Sequence, residues 1–461
     1  MAILIEQCKI SPPSNMTGEC SLPIVFFDML WYDFMANQSV LFFKFPCSKS
    51  HFLEVIVPDL KKSLSSTLGQ FLPLAGNIIH PLNPENKPIL SYLPGDSVCL
   101  TVSESESDFS HLTGNHPRVS DDFYDFAPNL PSATNSDNST TCPVLALQVT
   151  LFPEQGICIG FVTHHVVADA STVLSFMKAW ALINSNINSQ LDSTKITRLM
   201  EANCCLPFYD RRTVVGINGL DSLYWDLIVK LSCPIEPPRM KFPIGKVRST
   251  FVLKKDEIQK LKKFVSAKRP RVSHLSSFTV TCALVWICSA KAAAIAGVDD
   301  DETEYFGFVA DCRRRLNPPL PLNYFGNCVA LVNTELKHGQ LKGTDGFLMA
   351  VESIGEAISE NVYGDKGILH GAQNWSEEYE KLVGKRQIGV AGSPRFDFYA
   401  ADFGWGRPNK FEALFVDGNG SMSLCGSGQF EGGLEIGLSK PMAEMQIFTE
   451  VFNLVLADLL L

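Results

Sequence analysis

The stretch "CPVLALQVTLFPEQGICIGFVTHHVVADASTVLSFMKAWALIN", residues 142–184, constrains the fold more than any other part of the chain. Two apolar runs are separated by Pro153 to Gly156, a hairpin signature that predicts two paired strands. A helix follows, with Val173, Phe176, Met177 and Trp180 at helical spacing. The polar corner "HHVVAD" therefore lies at a strand-to-helix junction, where side chains can project from the end of a sheet into a cleft.

The rest of the chain continues this mixture. "VLFFKFP" (40–46) reads as a strand, and "HFLEVIVPDLKKSLSSTLGQFLPLAG" as an amphipathic helix ended by Pro73 and Gly76. Residues 103–141 are acidic and rich in Ser, Asn and Pro, which predicts an exposed, partly mobile excursion. "KVRSTFVL" reads as a strand that leads into a basic helix. "SSFTVTCALVWICSAKAAA" reads as an apolar helix that Ser276 or Ser277 can cap. Two strands around a Pro-rich loop follow, and a helix over about 442–460 closes the chain. At 461 residues there is room for two cores. The expected class is α/β or mixed α+β in two lobes, 1–190 and 241–461, joined by a weakly patterned crossover over 191–240.

Charge and cysteine usage exclude several functions. There are 39 Lys and Arg against 49 Asp and Glu, a formal net charge of −10, so a nucleic-acid partner is not expected. "MAILIEQCKISPPS" has neither the basic nor the apolar segment of a secretory signal. No stretch approaches the roughly 18 apolar residues of a membrane span. The 14 cysteines form no C-x-x-C pair, and Cys204 and Cys205 are adjacent. They are expected to be reduced, buried residues of a cytoplasmic protein, with the sequons at Asn15, Asn37, Asn138 and Asn374 unused.

The corner admits three chemistries. His165 and Asp169 at i,i+4 could share a cation, but a stable site wants three or four ligands and no third ligand cluster is evident. Two histidines could simply be satisfied at a strand end. A histidine with a reference pKa of about 6.5 could also take a proton at neutral pH. No G-x-S-x-G elbow supplies a nucleophile for it, so the nucleophile would belong to a substrate. A second constellation is "ADFGWGRP" (401–408), where Gly404 and Gly406 permit unusual backbone angles around Trp405. It is not a kinase segment, because the phosphate loop and catalytic-loop motifs are missing.

These motifs together resemble the BAHD family of plant acyl-CoA-dependent acyltransferases. H-x-x-x-D at 165–169, D-F-G-W-G at 402–406 and "NYFGNC" at 323–328 occur in the family's order. With "SLPIVFFDMLW", "LPLAGN", "VRSTFVL", "SSFTVTCALVWIC" and "SPRFDFY", they point to its flavonoid and anthocyanin glycoside branch.

The resemblance implies two similar-sized, chloramphenicol-acetyltransferase-like lobes with a channel between them. It implies that His165 deprotonates an acceptor hydroxyl, which attacks the thioester. Trp405 is then the expected oxyanion donor, with Asp402 counted beside it and Gly404 and Gly406 shaping the loop. Asp169 is expected to pair with Arg313 as structural support. Lys260, His274, Ser276 and Ser277 are the candidates for acyl-CoA contact. Acyl-CoA and a phenolic glycoside are the expected partners of a monomer, with no resident cofactor or metal. Several malonyl-using members carry a basic residue just after the motif aspartate, whereas this chain has Ala170, Ser171 and Thr172. That favours a hydroxycinnamoyl donor, with malonyl-CoA as the alternative. A ligand-binding relative without activity and a thioesterase-like hydrolase are the rival classes.

Overall fold

In the computed structural model, which describes residues 1–14, 18–189, 192–203 and 205–461, the hairpin is the centre of the N-terminal lobe. Asn15 and Cys204 lie outside the described residues. Leu145–Phe152 and Gly156–Thr163 pair antiparallel, with Phe152 opposite Gly156. Every residue of both strands is buried, so both faces must be covered. Leu147, Val149, Ile157 and Ile159 join the core that contains helices Val57–Leu68 and Ala170–Ser185. Phe152 and Cys158 face the other way, into a cluster with Phe42, Phe109, Phe123 and Phe126.

The segment 103–141 is only in part the exposed excursion its composition predicts, chiefly over 131–138. Its aromatic residues plate the back of the sheet, and Arg118 is only 1% exposed. The first long helix also differs from expectation. It runs from Lys49 through a π-helical stretch at Phe52–Ile56 to Leu68, and Gly69 rather than Pro73 ends it.

The sheet around the hairpin has the order Ala2–Ile10, Val98–Ser105, Leu145–Phe152, Gly156–Thr163, Asn37–Phe43 and Lys410–Ala413. A seven-stranded sheet forms the second lobe, in the order Val329–Lys337, Thr303–Asp311, Arg386–Gly392, Met422–Gly426, Leu434–Lys440, Val247–Leu253 and Arg118–Val119. A five-stranded sheet, from Cys20–Pro23 to Thr134–Asn135, completes the N-terminal side.

A clean division at residue 241 does not describe these sheets, because each lobe lends the other a strand. Lys410–Ala413 pairs with Asn37–Phe43, and Arg118–Val119 pairs with Val247–Arg248. Buried ions lock the exchange. Arg118 and Arg248 meet Glu412 at 2.7 and 3.2 Å, and Arg248 meets Asp417 at 2.6 Å. Burial alone would raise Glu412, but Arg118, Lys410 and Arg248 outweigh it and hold it at about 2.

Ser277–Ile295 corrects another expectation, being long and apolar enough by length and composition to cross a membrane. Here it is a core helix. Leu284, Trp286 and Cys288 are fully buried, and the helix packs against Gly346–Asn361 and Met442–Leu460. Among the described residues, no two cysteines form a disulfide.

Candidate active site

The two histidines at the corner have opposite surroundings. His164 continues the ladder through its backbone N–H, which donates to the Val144 carbonyl at 2.9 Å. Its fully buried ring meets the Ile235 carbonyl through Nε2 at 2.7 Å and accepts the Val166 N–H at Nδ1, 3.3 Å away. One nitrogen faces an acceptor and the other a donor, so His164 is a neutral Nε2–H imidazole with no free lone pair. Burial pushes its pKa down to about 4.

His165 is half-buried and stacked flat on the Trp31 indole, with centroids 4.0 Å apart and planes within 4°. Phe34 meets the ring edge-on at 6.1 Å. Burial lowers its pKa to about 4, partly opposed by its own backbone and by Asp169. Nδ1 is enclosed and without a hydrogen-bond partner, whereas Nε2 is not enclosed. The ring is neutral at physiological pH, and Nε2 can take a proton.

Asp169 points away from the imidazole. It caps helix Ala170–Ser185 by accepting the Thr172 N–H at 3.1 Å. Its two oxygens grip Arg313 at 2.8 and 3.1 Å, a buried bidentate pair. Burial alone would weaken the arginine's charge, but Asp169 outweighs it and raises its pKa.

This ion pair reaches the "YFGNC" segment. Arg313 donates to the Tyr324 and Gly326 carbonyls, both at 3.1 Å, and Asp169 accepts the Cys328 N–H at 3.2 Å. Thr172 Oγ1 lies 3.2 Å from both backbone polar atoms of Gly326. Gly326 has φ +128, and a Cβ there would stand 2.7 Å from Arg211 Nη2, so glycine is required. The segment is a hydrogen-bonded plate beside the histidine corner.

The D-F-G-W-G loop is elsewhere. It docks at the far end of helix Ala170–Ser185, where Asn184 donates to the Phe403 carbonyl at 2.8 Å. Fourteen residues of helix separate Asn184 from Ala170, about 21 Å at 1.5 Å per residue. The Trp405 indole packs among Phe43, Phe45 and Phe403, none of which touches His165. The structure thus sets Trp405, expected as the oxyanion donor, at the other end of this helix from the His165 corner.

Asp402 shapes the same turn. It is exposed and accepts the N–H groups of Gly404 and Gly406 at 2.8 and 2.9 Å. These glycines have φ +96 and +90, the left-handed angles the turn needs.

The acyl-CoA candidates divide. Ser276 caps helix Ser277–Ile295 by accepting the Thr279 N–H at 3.1 Å, and Ser277 opens its first turn. His274 stacks on Tyr363 at 5.7 Å, and Arg315 lies 5.0 Å over the same ring. These four polar groups therefore share one end of the C-terminal lobe. Lys260 is exposed on the separate helix Lys255–Lys268. Among the described residues, no group of three or more His, Cys, Asp or Glu could hold a metal ion.

Sequence reasoning missed Trp31, Asp28, Arg211 and Asn327. A signal was available for two of them, since "FFDMLW" sets a carboxylate and an indole inside an otherwise apolar run.

Comparison with known proteins agrees with this geometry. A family model described as "Transferase family" matches residues 3–455. A phenolic glucoside malonyltransferase of Nicotiana tabacum is 42% identical, over 92% of both chains. An Arabidopsis thaliana coumaroyl-CoA:anthocyanidin 3-O-glucoside-6''-O-coumaroyltransferase is 33% identical over 98% of this chain and 96% of its own. The crystal structure of vinorine synthase superposes with a TM-score of 0.71 at 19% identity, over 98% of both chains. Full-length agreement in sequence and in fold leads to one assignment: the chain belongs to the BAHD acyl-CoA-dependent acyltransferases, in their flavonoid and anthocyanin glycoside branch.

Proposed function

We propose that this protein transfers a malonyl group from malonyl-CoA to a sugar hydroxyl of a phenolic or anthocyanin glucoside. The observation that carries the donor is the gradient of similarity. Relatives at 39% to 42% identity are named for malonyl transfer, against 33% for the coumaroyl relative. The preference for a hydroxycinnamoyl donor, based on the uncharged Ala170–Thr172, gives way to this. A malonate carboxylate needs a donor or cation somewhere around it, and three residues beside the base are too short a stretch to exclude one.

The chemistry rests on His165. Nε2 accepts the proton of the acceptor hydroxyl as the oxygen attacks the thioester carbonyl. The tetrahedral intermediate then collapses, the C–S bond breaks, and the imidazolium returns the proton to the departing thiolate. The low basicity of the half-buried ring keeps it unprotonated before the step, which general-base catalysis requires. Asp169, Arg313 and the 324–328 plate hold the corner in place.

Competition between malonyl-CoA and p-coumaroyl-CoA at equal concentration, with a phenolic glucoside as acceptor, tests the donor. Malonylated glucoside should predominate. A coumaroyl product would reverse the donor reading, and free coenzyme A released equally without acceptor would make the protein a hydrolase.

A further inference from the structure

The carboxamide of Asn327 crosses the lobe boundary to the backbone of the proposed base. Its Nδ2 lies 2.9 Å from the His165 carbonyl oxygen, 3.1 Å from that of Val166 and 3.1 Å from Asp28 Oδ1. Two hydrogens are thus shared among three acceptors. The Asn327 backbone N–H donates to the same Asp28 oxygen at 3.1 Å. Asp28 Oδ2 accepts from Arg211 Nη1 at 2.6 Å and from the Val25 N–H at 3.2 Å. All four of these hydrogen bonds to Asp28 come from N–H donors; burial raises its pKa, and Arg211 with the other donors opposes that rise. Asp28, Arg211 and Asn327 are all buried.

Apolar side chains would fill this space at a lower desolvation cost. They could not fix the direction of a carbonyl, which two amide hydrogens can. Asp28 comes from the N-terminal lobe, Arg211 from the crossover and Asn327 from the C-terminal lobe. The His165 backbone is therefore set where three distant segments meet.

We propose that Asn327 is a positioning residue for acyl transfer: it holds the His165 carbonyl, and so fixes the direction and the enclosure of the imidazole, while the Asp28–Arg211 pair holds Asn327. The inference rests on the proposed role of His165 and is independent of the acyl donor. Burial is what lowers the basicity of the ring, and its own backbone and Asp169 partly oppose that effect. A corner that loosens admits water and returns the ring toward ordinary histidine behaviour.

The test compares wild type, Asn327→Ala, Asn327→Ser and His165→Ala. It measures kcat, KM for malonyl-CoA, or for whichever acyl-CoA wild type turns over, the pH profile of kcat/KM, and melting temperature. Asn327→Ala should lose about 10- to 100-fold in kcat while KM for the donor stays within about threefold. Its acid limb should move up by about one pH unit. Asn327→Ser keeps a hydroxyl donor and should recover part of both changes. An unmoved acid limb overturns the proposal, whether kcat is kept or falls in step with melting temperature. Should Asn327→Ala fail to fold, the same reading of Asn327→Ser decides. Full activity in His165→Ala would instead remove the base itself, and with it the reading on which this inference stands.

Discussion

Adjacent residues of one type can have opposite duties when they follow directly on the end of a strand. His164 has both nitrogens committed, and His165 has one left open. His165→Ala should lower turnover by about 10²–10⁴ with little change in melting. His164→Ala should do the reverse, because it leaves the Ile235 carbonyl buried without its donor and opens a cavity, costing about 2–4 kcal/mol. Thermal melts and steady-state kinetics on both variants separate the two roles, and equal loss of turnover would reject a single base. The pH profile carries the same signature. The folded pKa of His165 lies below its unfolded value, so the neutral, active ring persists as pH falls below 6.5 toward about 4. The acid limb of kcat/KM should therefore fall near pH 4 to 5 rather than near 6.5. The same depression makes stability complete above the unfolded value of about 6.5 and progressively lost between there and pH 4.

At the scale of elements, helix Ala170–Ser185 organises the site by holding a different motif at each end. Asp169 caps its start beside the base, and the D-F-G-W-G loop docks on its last turn. Trp405→Phe should thus keep turnover within about threefold while lowering the melting temperature through lost aromatic packing. A collapse of kcat with unchanged melting would return Trp405 to the chemistry. The sequence offered two conspicuous motifs without the distance between them. An H-x-x-x-D corner and a glycine turn look equally catalytic in one dimension. The hairpin, its turn and the strand-to-helix junction were legible, because they depend on contacts among near neighbours. The Asp169–Arg313 pair was reached only through family resemblance. Asn327 was not reached at all, since its partner Asp28 lies 299 positions away and neither residue announces the other.

The whole molecule is held by an exchange that its composition conceals. The segment 103–141 reads as acidic and mobile, yet Phe109, Phe123 and Phe126 decide its fate by plating a sheet, and Arg118 enters the partner lobe. Five charged side chains, Arg118, Arg248, Lys410, Glu412 and Asp417, are buried at that crossing. Glu412→Gln would leave Arg118 and Arg248 underpaired in a dry site and should cost about 3–5 kcal/mol. Denaturant midpoints would measure it, and a change below about 1 kcal/mol would mean the cluster is solvated. The exchange also has a consequence in time. Asn37–Phe43 leaves the ribosome early, but the strand that covers its edge, Lys410–Ala413, begins 367 residues after Phe43. At about 5–20 residues per second, that edge stays open for roughly 20–70 s of each round of synthesis. An unpaired β-edge exposed for so long is an invitation to pair with another nascent chain. The yield of this protein in a cell should therefore depend on chaperones and on translation speed over its last third, far from any residue that performs the chemistry.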